Sequence, residues 1–356
     1  MYKKLFTPGP TNVSEDVLKK MANPMISHRT KEASKLQRDI SEKMRKLMYT
    51  KNEILLSTSS ACGLMEGAIR SCTRKKAAVF SCGVFGNQWY EMAARNNVPA
   101  DKFEVKWGEP VTAKLVDQNL STGKYDLITV THNETSTGVM NSLEDIAQVM
   151  KKYPEVIFCL DTVSSLGGVK IEVDKLGVDI CLASVQKCLA LPPGFSVCSI
   201  SEKALEAAKK VKFRGTYFDL LRLYNYIKEK DYQYPSTPSL SHMFALNYQL
   251  DKIFKEGLEN RFARHIGVAN YVRSWVKRKF ELFANEKFAS NTVTCVKNTK
   301  GINIDDLNKT LGEKSYIISN GLEEIKDKTF RIGHMGEATI SDLKGLLFAI
   351  DGILGL

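Results

Sequence analysis

The stretch ICLASVQKCLALPPGFSVCSI, residues 180–200, decides the fold. Two apolar runs, Ile180–Val185 and Ser196–Ile200, flank a short segment that holds Lys187 and the turn Pro192-Pro193-Gly194. Neither run alternates apolar with polar residues. A strand of that kind is buried on both faces, which predicts a mostly parallel sheet covered by helices. Three earlier runs have the same texture: Ala77–Cys82, Leu127–His132 and Val156–Leu160. Helical patterns such as Ser142–Lys152 and Glu202–Lys210 lie among them. The expected class is α/β. After about residue 240 the texture changes. One long helix is expected from Ser241 to Arg278, then strands at Thr292–Lys297 and Thr329–Ile332. The closing helix, Ser341–Leu354, is expected to be capped by Ser341 and Asp342.

In open parallel sheets, ligands bind beyond the carboxyl ends of the strands. Asp161 follows the third of those runs, Gln186-Lys187 follow Ile180–Val185, and Asn133-Glu134-Thr135-Ser136-Thr137 follow Leu127–His132. An acid, a lysine and a group of hydroxyls therefore meet at one edge. A lysine between an apolar strand and an apolar loop is out of place unless it is used. Burial lowers its pKa and makes it a nucleophile that forms Schiff bases. Surface snorkelling is the ordinary alternative, and for Asp161 it is a turn contact with Val163 or Ser164. An acid paired with such a lysine suits pyridoxal phosphate (PLP), whose ring nitrogen must be held protonated. The segment Ser57-Thr58-Ser59-Ser60-Ala61-Cys62-Gly63 precedes a helical stripe of Leu64, Met65, Ala68 and Ile69. It has the makings of a phosphate site at a helix N-terminus.

Composition bounds the rest. The chain has 356 residues, 43% of them hydrophobic and 26% charged, which suits about two globular domains. No apolar run reaches the roughly 18 residues of a membrane helix, and no signal segment is visible at the start. The net charge is +11, and residues 201–300 alone hold 19 basic and 10 acidic residues. Their helical spacing reads as solvated faces rather than a nucleic-acid surface, and a small anionic substrate also suits them. Eight cysteines without a CxxC pair read as reduced, buried thiols of a cytoplasmic protein. The five histidines show no metal-ligand spacing, so no metal is expected.

The ordered set TPGPTNV, STSSACGLMEGA, GVFGNQW, HNETSTGV, LDTVSSLGG, SVQKCLALPPGFSV, YPSTPSLSH and FRIGHMG resembles the class V aminotransferases of PLP fold type I. The alanine–glyoxylate and serine–pyruvate enzymes are among them. The resemblance implies a segment 1–15 at the active site, a large PLP-binding domain 16–240 and a small α/β domain 241–356. It implies Lys187 as the cofactor's covalent anchor and proton carrier, and Asp161 at the ring nitrogen. Thr135 and Gln186 fall beside the ring hydroxyl, with Phe85 and Val163 on the two ring faces. Ser60, Ala61 and Cys62 match the phosphate loop, where the family more often has Ser-Gly before Thr or His. Tyr234 and Thr237 match phosphate contacts made across a homodimer. Arg331 matches the arginine that takes the substrate carboxylate, with Gly9, His28 and Arg29 as further substrate residues. His28-Arg29 is also the pair that meets phosphate in phosphoserine aminotransferases.

The implied reaction is ping-pong transfer of an amino group from alanine or serine to glyoxylate or pyruvate. Two rivals remain open at this point. One is a donor with a second anion, phosphoserine or 2-aminoethylphosphonate. The other is a PLP lyase such as a cysteine desulfurase, which would need a mobile cysteine where this chain has Cys295.

Overall fold

The computed structural model describes residues 3–356. Seven strands form the main sheet: β1 (Glu53–Ser57), β2 (Ala77–Ser81), β3 (Ala100–Glu104), β4 (Leu127–Thr131), β5 (Ile157–Asp161), β6 (Ile180–Ser184) and β7 (Ser196–Ile200). Their spatial order is β1-β7-β6-β5-β4-β2-β3. The run from β3 to β6 pairs in parallel. β7 is antiparallel to both of its neighbours. Its direction follows from its connection. The loop 185–195 holds no crossover helix, and a strand reached without one returns antiparallel.

Alternation along the strands sorts their side chains onto two faces. Ile128, Val130, Phe158 and Leu160 meet one helical layer, packing with Ile40, Met44, Ile146 and Leu246. Leu127, Ile157, Cys159 and Leu182 meet the other, with Leu64 and Ala68 of helix Ala61–Cys72 and Trp89 of helix Val84–Arg95. Burial on both faces is why the strands read as unbroken apolar runs. Each fully buried Leu, Ile or Phe contributes roughly 1.5–3 kcal/mol. On the second face the last residue of five of the strands turns polar: Ser57, Ser81, Thr131, Asp161 and Ser184 are all buried there. That change builds a polar floor at the carboxyl edge.

A second, antiparallel sheet has the order Glu281–Leu282, Val293–Lys297, Thr329–Gly333, Ser319–Asn320. It packs on helices Leu258–Lys279 and Ile340–Leu354 through Val272, Val276, Phe330, Ile332, Leu343 and Leu346. The single helix expected over 241–278 is two helices, Leu240–Glu256 and Leu258–Lys279. Gly257 divides them at φ +85°, a conformation that helical residues cannot hold. The apolar spacing runs through the break, so periodicity alone could not reveal it. The last helix is capped by Thr339, two residues earlier than expected. Thr339 and Asp342 bond each other's backbone N–H groups in a capping box.

The start of the chain crosses between the two sheets. Lys4–Leu5 pairs in parallel with Tyr316–Ile317. The Gly333 N–H donates to the Phe6 carbonyl, and the Thr11 N–H donates to the Gln186 carbonyl. Among the described residues no helix is long and apolar enough to cross a membrane.

Candidate active site

A cleft of about 130 Å³ opens at the carboxyl edge of the main sheet. Nine of the residues expected at the site line it: Ser60, Ala61, Cys62, Phe85, Thr135, Asp161, Val163, Gln186 and Lys187. The lysine comes from the β6–β7 loop, which is tightened by an Ala190 N–H bond to the Lys187 carbonyl and a Leu191 N–H bond to that of Val185. Lys187 is buried, and its ammonium donates to the Pro8 carbonyl. Gly9 lies directly on its stem: an added Cβ would stand 2.4 Å from Lys187 Cδ, and Gly9 has φ +98°. Only glycine lets the backbone pass so close.

Burial, helped by the nearby Arg331 charge, pulls the Lys187 pKa down to about 8. An ordinary lysine near 10.4 is neutral to well under ~1% at pH 8, whereas about half of Lys187 is neutral there. Trapping of an aromatic aldehyde by cofactor-free protein, fixed with borohydride, should therefore rise to a plateau with a midpoint near pH 8. Peptide mapping should place the adduct on Lys187. A midpoint above pH 10 would show that the amine is not perturbed.

Asp161 closes β5. Its Oδ1 accepts the Val163 N–H at 2.8 Å. The expected turn contact is present, and the same carboxylate lines the cleft. Burial raises its pKa to about 7, against the opposing pull of that N–H. Thr135 Oγ1 is 2.7 Å from Ser164 Oγ, and Gln186 accepts from the Ser184 hydroxyl. Ser60 is the N-cap of helix Ala61–Cys72, yet its side chain makes no capping bond. The hydroxyl and the first N–H groups of that helix are left to meet an anion. Cys62 departs from the expectation of buried thiols: it is exposed at the cleft, while the other seven cysteines are buried.

Arg331 sits one layer out. Its Nε donates to the Asn320 carbonyl at 3.0 Å and its Nη1 to that of Thr135 at 3.5 Å. Within one chain, six expected residues are not part of the cleft lining: Gly9 and Arg331 stand next to it, and His28, Arg29, Tyr234 and Thr237 lie off it. Arg29 Nη1 bonds the Tyr234 carbonyl at 2.7 Å, and His28 beside it is half-buried. The Tyr234 hydroxyl accepts the Thr58 N–H at 3.4 Å, and Thr237 is exposed.

Sequence reasoning missed Glu134. Its carboxylate is fully buried and accepts the N–H groups of Phe85 at 3.1 Å and Gly86 at 3.0 Å, and the Ser136 hydroxyl at 2.6 Å. It anchors the start of the helix that presents Phe85. The only sequence sign was an acid directly after a buried strand.

The family described as Aminotransferase class-V matches residues 5–332. The chain belongs to the class-V aminotransferases. An aminotransferase of Methanocaldococcus jannaschii is 40% identical over 342 residues, 94% of this chain and 88% of that one. A serine–glyoxylate aminotransferase of Arabidopsis thaliana is 30% identical over 98% of this chain and 90% of its own. The crystal structure of an alanine–glyoxylate aminotransferase from Nostoc sp. superposes with a TM-score of 0.94 at 26% identity, covering 99% of this chain and 96% of that one. The fold is PLP fold type I, the aminotransferase is PLP-dependent, and the cleft fits that cofactor. It offers a buried amine of lowered proton affinity, a buried carboxylate and an uncapped helix N-terminus. A cysteine-dependent lyase finds no thiolate in the late strand. Cys295 is buried in Val293–Lys297, and burial pushes its thiol up to about 12.

Proposed function

We propose that this aminotransferase moves the amino group of a small donor, alanine or serine, to glyoxylate or pyruvate in two ping-pong half-reactions. One observation carries the substrate reading: among the described residues no cation other than Lys187 lines the cleft, and Arg331 stands behind it. One carboxylate is provided for, and a second anion is not. When bound, PLP supplies an electron sink for the substrate's α-carbon. Lys187 Nζ would hold the cofactor covalently and would carry the donor's α-proton across to the cofactor carbon that receives the amino group. Asp161 keeps the proton on the ring nitrogen. Phe85 and Val163 confine the ring, and Thr135 and Gln186 orient it through its hydroxyl. Ser60 with the N–H groups of Ala61 and Cys62 binds the phosphate. Arg331 takes the substrate carboxylate in a bidentate grip, and Gly9 closes that side of the site.

The same reading makes the enzyme a homodimer with a shared site, Tyr234 and Thr237 reaching the partner's phosphate loop. The exposed Thr237 supports it. Mixed dimers of an inactive Lys187→Met chain and an inactive Tyr234→Phe, Thr237→Ala chain should regain part of the activity. A monomeric mass with no regain would count against sharing. The reduced cysteines support a cytoplasmic enzyme, and the domain division at residue 240 stands as part of this reading.

The rival donor, carrying a second anion, draws on one contact. Arg29 is tied to the Tyr234 carbonyl, so it would travel with Tyr234 to the partner's site. A spectrophotometric screen of donors separates the two. Under the main reading, alanine or serine converts the cofactor band fastest, and Arg29→Ala changes that rate by less than about threefold, under ~0.7 kcal/mol. A phosphoserine preference that Arg29→Ala removes would overturn it.

A further inference from the structure

Among the described residues, the Asp161 carboxylate receives a single closed hydrogen bond, from the Val163 N–H. Below it lie polar atoms with nothing to bond. Trp89 is completely buried, and its indole N–H has no partner among the described residues. Thr131 is also buried, and its hydroxyl is likewise unpaired. A buried polar atom left unpaired costs roughly 1–3 kcal/mol, so two at one place call for a reason.

Register puts both beside the carboxylate. Thr131 is the cross-strand partner of Asp161, last residue of β4 against last residue of β5. Both point to the face occupied by Cys159 and Trp89, since Asp161 follows Cys159 by two residues. Trp89 follows Phe85 by one helical turn, so it sits under the residue that lines the cleft. The Trp89 N–H already helps to hold the Asp161 proton affinity down, although it falls short of a closed bond.

We propose that Trp89 and Thr131 are positioning residues for Asp161. The indole N–H and the Thr131 hydroxyl donate to the carboxylate from below. They hold it ionised and leave an oxygen directed at the cofactor's ring nitrogen. The proposal rests on the reading of Asp161 as that nitrogen's partner. Trp89 does not line the cleft, and Thr131 lines it at the floor beside Asp161. Both act by raising the cost of moving the ring proton onto Asp161.

The test uses holoenzyme carrying PLP labelled with ¹⁵N in its ring, whose resonance reports protonation of that nitrogen as pH rises. Trp89→Phe with Thr131→Val leaves the carboxylate more basic, so the ring resonance on its low-pH plateau should move toward the unprotonated value and the midpoint for loss of the shared proton should rise by one pH unit or more. Each single variant should give part of the shift, and Thr131→Ser should restore the wild-type value. Thr129→Val is the control. It removes an equally buried, unpaired hydroxyl from the same face, about 7 Å deeper along β4, and should leave the midpoint alone. An unmoved midpoint in the double variant, or an equal shift from Thr129→Val, overturns the proposal. If Asp161→Asn itself fails to move the midpoint, the parent reading of Asp161 has failed instead.

Discussion

Lys187→Met is expected to lose turnover by on the order of 10⁴-fold, because in the proposed mechanism one atom both anchors the cofactor and carries the α-proton. Methionine keeps the length of the stem without the charge. The same change should stabilise the cofactor-free protein. The folded-state pKa of Lys187 is about 8 against a usual value of 10.5. At roughly 1.4 kcal/mol per unit, that burial costs about 3 kcal/mol. The sign follows from which state binds the proton more weakly. Below pH 8 the amine is charged in both states and the cost is complete. Between pH 8 and 10.5 the folded state sheds the proton first, and the cost fades. Thermal melts of the two cofactor-free proteins should therefore differ most below pH 8 and converge toward pH 10.5. A variant that turns over normally, or one that gains no stability at neutral pH, would remove Lys187 from the centre of the site.

Asp161→Asn should keep the cofactor yet turn over at least about 100-fold more slowly, since a neutral amide cannot hold the ring nitrogen protonated. Here the pH dependence runs the other way. Asp161 holds its proton up to about pH 7 in the folded cofactor-free chain, against an ordinary 3.8. The wild type therefore loses stability as pH rises from 4 to 7, and the asparagine variant does not share that loss. Turnover measured under saturating donor, beside melting curves at pH 5 and pH 8, checks both halves. Near-normal turnover would reduce Asp161 to the turn contact it makes with Val163.

Much of the site was legible because its residues end strands that are apolar throughout. In such a sheet an abrupt Asp161, Lys187 or Thr135 marks the edge without any knowledge of strand order. What stayed hidden depends on geometry that spacing does not encode. The reversal of β7 is one case, since a buried strand has the same composition in either direction. Gly257 is another: the apolar period continues across it, and only its positive φ ends the first helix. Trp89 and Thr131 escaped for a third reason. Their importance lies in which face they share with Asp161, and that requires the register of β4 against β5. Tyr234, Thr237, His28 and Arg29 lie off the cleft of their own chain, so a second copy must show whether they reach another.

The strap at the start of the chain bears on how the enzyme comes into being. Lys4 and Leu5 are held by Tyr316 and Ile317, and Phe6 by Gly333. Between those anchors and the loop beneath, Pro8 and Gly9 press on Lys187. On the ribosome, Lys4, Leu5 and Phe6 must wait for Tyr316, Ile317 and Gly333, which are made much later. The main sheet gains its last strand at Ile200 and the last of its helical cover with Leu240–Glu256, while its lysine still lacks the strap. A chain cut short before residue 316 lacks the partners that hold Pro8 and Gly9 over that amine. The sheet and the lid of its lysine are thus separated in the order of synthesis.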